Sequence, residues 1–162
     1  MIAIRNILVA TDFSEPSGMA MAYGRDLAKT HHARLHVLHA VEDVNLRSSI
    51  DGGLLGDLQG QLEASARRDL DALIRDEDRT AHHAVAVITR GVNPAESIID
   101  YASANSIDLI VTGTHGRGGL QHLLMGSVAE RVVRTAPCPV LTVRAHERDF
   151  IVPDAIALEM SV

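Results

Sequence analysis

Aromatic residues make up only 2% of this 162-residue chain, and tryptophan is absent. With 46% hydrophobic residues, any core must be built from Val, Ile, Leu and Ala. Such a core suits a parallel sheet covered by helices. Cysteine is nearly absent too. The single Cys138 excludes an internal disulfide framework and fits a reducing compartment. No apolar run approaches the ~18–20 residues of a membrane span. The first residues lack the charged, apolar and small-residue regions of a signal peptide, so the chain reads as cytoplasmic. Basic residues number 15 against 21 acidic ones, for a net charge of −6. No basic tract is longer than Arg67-Arg68. These counts argue against sequence-independent binding of nucleic acid. No internal repeat or low-complexity tract is visible, and the length matches one domain.

What is present is a strict alternation. Five short apolar runs, Asn6–Thr11, Arg34–Ala40, Ala84–Thr89, Asp108–Gly113 and Val140–Arg144, are separated by helical patterns. None of the runs alternates cleanly between polar and apolar, as expected of strands buried on both faces. Ser14 to Thr30 predicts a helix, with Ser14 as N-cap, Pro16 in the first turn, and Met19, Tyr23 and Leu27 on one face. Leu55, Leu58, Leu62, Ala66, Leu70, Leu73 and Ile74 form a long amphipathic stripe. Glu42 to Gly60, with Asp51-Gly52-Gly53, reads as a mobile loop leading into it. Asn93-Pro94-Ala95-Glu96 predicts an N-cap, an N1 proline and a capping glutamate, with Ile98, Ile99 and Ala102 inward. Ser127 and Glu130 repeat that spacing before the last helix, Val128 to Ala136. This order predicts a doubly wound parallel α/β sheet with right-handed crossovers. Its ligands are expected beyond the strand C-termini, where the strand order reverses. Residues 147–162 follow the last strand as a tail, either disordered or packed on a partner subunit.

The chemistry concentrates in residues 113–128. Gly113, Gly116, Gly126 and Ser127 are spaced G-x2-G-x9-G-S between a buried strand and a helix start. Glycine lets a backbone approach a phosphate closely, and a helix N-terminus offers unpaired N–H groups. The feature points to an anionic ligand, most simply a nucleotide. Strand one ends at the same sheet edge in Ala10-Thr11-Asp12-Phe13-Ser14. Asp12 could bind a ribose hydroxyl, an adenine edge or a phosphate-bound metal, or it could brace a turn. Ser127 could cap its helix, donate to a phosphate, or do both. His115 and Arg117 flank the loop, and Arg117 could pair with phosphate or stay solvated. The nine histidines show no zinc-like spacing. His36 and His39 lie three apart on one strand and must face opposite ways. Cys138, between Pro137 and Pro139, reads as a small buried residue rather than a catalytic thiol.

These residues resemble the universal stress protein family, in its ATP-binding branch. The glycine–serine spacing, the opening Thr11-Asp12-Phe13-Ser14 and the closing Cys138-Pro139-Val140-Leu141-Thr142-Val143 carry the likeness, over roughly residues 4–145. The resemblance implies a five-stranded parallel sheet of order 3-2-1-4-5, with residues 1–146 as a nucleotide-binding domain. It implies ATP or a related adenine nucleotide, with Mg2+ or Mn2+ on the phosphates. Ala10, Thr11 and Asp12 would line the nucleoside, and Ala40 or Val41 would meet adenine through backbone groups. Gly113, Gly116, Gly126, Ser127 and Val128 would hold ribose and phosphates. A homodimer paired through Val140–Val143 is also implied. Relatives often have proline where this chain has Ala10.

Three functions are compatible with these residues. The leading one is an ATP-binding regulatory protein, non-catalytic or hydrolysing very slowly. A phosphohydrolase is disfavoured, because there is no P-loop and no lysine in the glycine loop. A dimeric interaction module that binds no nucleotide is the third. On the leading reading, a bulkier residue at Gly113 should abolish binding without unfolding the chain.

Overall fold

The computed structural model describes residues 2–43, 52–114 and 125–144. In chain order its elements are β1 (Asn6–Ala10), α1 (Glu15–His31), β2 (Arg34–Glu42), α2 (Gly52–Leu73), α3 (Asp76–Ala81), β3 (Val85–Gly91), α4 (Pro94–Ala104), β4 (Leu109–Gly113), α5 (Ser127–Thr135) and β5 (Val140–Val143). The five strands form one parallel sheet in the order β3-β2-β1-β4-β5, as expected. Strand order therefore reverses between β1 and β4, so the ends of these two strands open a crevice.

The strands alternate between two apolar layers. Ile7, Val9, Leu35, Val37 and Val111 pack with Ala20, Met21 and Ala28 of α1 and Leu70 of α2. Leu8, Leu38 and Ile110 pack with Ile98 and Ala102 of α4 and Val132 of α5. Ile7, Leu8, Val9, Leu35, Val37, Ile110 and Val111 are completely enclosed. Parallel strands need this cover on both faces. α1 lies very close to β1, since a Cβ on Gly24 would stand 2.2 Å from Val9 Cγ2.

Local signals account for several boundaries. Ser14 is the N-cap residue of α1, and Pro16 sits in its first turn. α1 ends where His32 turns left-handed, at φ 53°, and Ala33 N–H donates back to Ala28 C=O at 2.9 Å. At α4, Asn93 caps Ala95 N–H through its side chain at 3.0 Å. Glu96 does not close a capping box there; it pairs with Arg131 of α5 at 2.5 Å.

Three expectations are corrected, and one element is new. Gly52 to Gly60 is helical rather than loop, and residues 44–51 lie outside the described residues. Within α2 the apolar stripe is not the buried face throughout. Leu58 and Leu62 are exposed while Gln59 is buried, its amide donating to Glu63 at 3.1 Å. A buried amide with a partner is tolerated. α3 carries no apolar periodicity and was not expected; Asp78 holds it by accepting from Arg75 N–H at 2.9 Å. Finally, Ser127 does not cap α5, because Gly126 occupies the N-cap position and Ser127 is the first helical residue.

His36 and Tyr101 join β2 to α4, with His36 Nδ1 2.8 Å from the Tyr101 hydroxyl. His36 Nε2 is enclosed without a partner. Burial, and then the charge of Arg34, hold the His36 pKa below its ordinary value. The unfolded chain takes up this proton near pH ~6.5, before the folded chain does. Stability is therefore full above that pH and declines as pH falls towards the lowered folded value. Urea unfolding midpoints are expected to drop on acidification below about pH 6.5, and His36→Leu should flatten that drop.

Candidate nucleotide site at the fork of β1 and β4

Beyond Ala10 the chain leaves the sheet in a compact turn. Thr11 N–H still donates to Leu38 C=O at 2.9 Å. Thr11 Oγ1 accepts from Phe13 N–H at 3.0 Å and lies 3.1 Å from Ser17 Oγ. Asp12 Oδ1 accepts from Ser14 N–H at 3.1 Å and from Ser14 Oγ. Asp12 thus braces the turn, one of the two roles open to it from sequence. Phe13 adopts φ 63°, a left-handed conformation that is unfavourable for a bulky residue. Its ring stacks on His39 with centroids 4.5 Å apart, and His39 Nδ1 lies 2.8 Å from Thr11 C=O.

The other wall comes from β4 and α5. Thr114 N–H donates to Val143 C=O at 2.8 Å, and Gly126 N–H donates to Thr114 C=O at 2.7 Å. That second bond fixes the start of α5 against the end of β4. Ser127 is exposed there and Val128 is half-buried against the α4 layer. The first-turn N–H groups of α5 and its positive dipole end therefore face the fork.

Gly113 has a packing reason for being glycine. A Cβ there would meet Pro16 C and Cβ at 2.9 Å and Ser17 N at 3.0 Å. The residue lets the first turn of α1 lie against the end of β4. A larger residue is therefore expected to cost stability as well as ligand binding.

The structure brings Ala10, Thr11, Asp12, Gly113, Gly126, Ser127 and Val128 to one end of the sheet. Ala40 and Val41 lie at the same end of β2 and do not share one environment. Val41 is buried and Ala40 is half-buried, packing on the α4 side. His115, Gly116 and Arg117 lie outside the described residues. Sequence reasoning missed Phe13, Ser17 and His39 as parts of the site. His39 was visible as one of nine histidines, but its partner atom is a backbone carbonyl and leaves no signal in spacing. His36 and His39 do face opposite layers, one towards Tyr101 and the other towards Phe13. Cys138 is half-buried, and burial followed by Asp108 pushes its thiol pKa up, the opposite of what an activated thiol needs. Among the described residues, no group of three or more His, Cys, Asp or Glu could hold a metal ion. No described helix is long and apolar enough to cross a membrane.

The chain is 35% identical to a universal stress protein of Thermus aquaticus over 150 residues, covering 86% of this chain and 98% of that one. The solved universal stress protein UspA of Lactobacillus plantarum is 30% identical, with a TM-score of 0.74 over 89% of this chain and all of that one. A universal stress protein solved in complex with cAMP shares the fold at 22% identity, with a TM-score of 0.64 over 88% of this chain and 98% of that one. The model of the universal stress protein family matches residues 3–144, and the chain belongs to that family.

Proposed function

We propose that this protein is an ATP-binding regulatory protein that acts as a nucleotide-dependent switch, with at most very slow hydrolysis. One observation carries this reading. The turn at Thr11–Ser14 and the start of α5 at Gly126-Ser127 converge on the fork between β1 and β4. The family relative bound to cAMP supports an adenine nucleotide as the ligand class. Ser127 and the neighbouring N–H groups suit phosphate, and Asp12 suits ribose. A Mg2+ or Mn2+ ion would be held mainly through the phosphates, since the described residues offer no cage of their own. Hydrolysis is disfavoured because Asp12, the acidic group at the fork, is engaged in its turn by Ser14. We place the activity in the cytoplasm, consistent with the lone Cys138.

A homodimer through Val140–Val143 completes the proposal. β5 is an edge strand whose run Val140-Leu141-Thr142-Val143 carries no charge that would deter pairing.

ATP with Mg2+ at a hundredfold excess over Kd is expected to stabilise the protein by about 2.7 kcal/mol, read as a thermal shift. Ser127→Glu should abolish that shift. An acidic residue in the first turn suits the dipole of α5, so the fold should not suffer, while its charge repels phosphate. No shift with wild-type protein would instead favour the nucleotide-independent module.

A further inference from the structure

We propose that His39 is a positioning residue of the nucleotide site, acting by keeping the backbone amide of Ala40 available to the ligand. The inference rests on the nucleotide reading above.

The argument begins with the β1–β2 ladder. Its last rung pairs Ala10 with Leu38, and Thr11 N–H then reaches Leu38 C=O at 2.9 Å. Leu38 C=O therefore points towards β1. Backbone groups two residues apart on a strand point the same way, so those of Ala40 also lie on the β1 side. Those of Val41 point to β3, where Val41 is opposite Arg90. Of the two residues that could meet adenine through the backbone, Ala40 is the one on the cleft side.

In a continued parallel ladder, Thr11 C=O would accept from Ala40 N–H. It accepts from His39 Nδ1 instead, at 2.8 Å. A carbonyl oxygen only accepts, so Nδ1 carries the proton. The imidazole thus takes the bond that would have closed the strands together. The same ring stacks on Phe13 and supports its left-handed backbone at φ 63°. One side chain therefore holds the turn that presents Asp12 and leaves the Ala40 amide on the open side of β2.

His39→Phe keeps a ring against Phe13 and removes the donor. His39→Asn keeps an N–H donor at a similar distance from the backbone and removes the ring. Affinity for ATP with Mg2+ would be measured by calorimetry, and hydrogen exchange of the Ala40 amide by NMR on the nucleotide-free protein. His39→Phe is expected to weaken ATP about three- to tenfold, the worth of one hydrogen bond, and to slow exchange at Ala40 as the ladder closes. His39→Asn should recover most of the affinity and the fast exchange. A merely structural histidine would lower the melting temperature and leave both readouts unmoved, and that result overturns the proposal. If wild-type protein binds no ATP, the nucleotide reading fails, and exchange at Ala40 still decides what His39 does to the ladder. Should His39→Phe not fold, His39→Leu carries the same comparison.

Discussion

Arg25→Ala is expected to destabilise the protein by about 3–5 kcal/mol, the cost of leaving a buried carboxylate without its partner. The Asp78 side chain is only 1% exposed, and Arg25 Nε donates to its Oδ1 at 2.7 Å. The other carboxylate oxygen accepts from Arg75 N–H at 2.9 Å. The guanidinium also donates to Leu73 C=O at 3.1 Å, at the end of α2. One side chain on α1 therefore ties down the end of α2 and the start of α3. Small domains hold only about 5–15 kcal/mol in all, so the loss should appear as a large drop in the urea midpoint. Arg25→Met combined with Asp78→Asn should recover part of the loss, because the neutral amide still accepts from Arg75 N–H and leaves no charge to desolvate. A single Arg25→Ala variant as stable as wild type would show that the pair contributes nothing.

Gly113→Val is expected to cost about 3 kcal/mol, at the upper end of what overpacking a core imposes. The added Cβ meets backbone atoms of Pro16 and Ser17, and backbone cannot yield by rotating. Only displacement of the first turn of α1 relieves the contact. Strand propensity returns less than about 1 kcal/mol of this. The Thr11–Ser14 turn leads directly into that helix, so the ATP thermal shift should be lost as well. Ser127→Glu should lose the shift alone. Comparing chemical denaturation with ATP response in both variants separates packing from ligand contact. Unchanged stability in Gly113→Val would mean that α1 moves away freely.

The sheet was legible because its cause is local. Buried strands between helices leave continuous apolar runs, and Asn93-Pro94 marks a helix start in four residues. The order of the strands was implied by the family likeness alone. What escaped the sequence depends on contacts made at a distance. Asp78 and Arg25 lie 53 residues apart, and nothing near either announces the other. α3 is held by that pair rather than by an apolar face. Gln59, with its amide bonded to Glu63, is buried where Leu58 and Leu62 are exposed, and that partner is not marked in the apolar pattern. Asp12 and Gly126-Ser127 were singled out by their chemistry, and the structure places them at the same end of the sheet. The packing role of Gly113 was not legible, because the helix turn it lies against is far away in sequence. His39 was missed because its partner is a main-chain oxygen.

The two rims of the sheet differ in kind. On β3, Arg67 donates to the Ala86 carbonyl at 3.3 Å and Arg90 pairs with Glu63, so charged side chains of α2 and of the strand itself fringe that rim. β5 carries no such fringe within its four residues. On the proposed pairing through β5, edge-to-edge addition is therefore expected to use one rim only. A second sheet joined at β5 presents only another fringed β3 at its far side. Growth by strand addition is then expected to stop at two copies, unlike that of sheets open at both edges, which can extend into fibres.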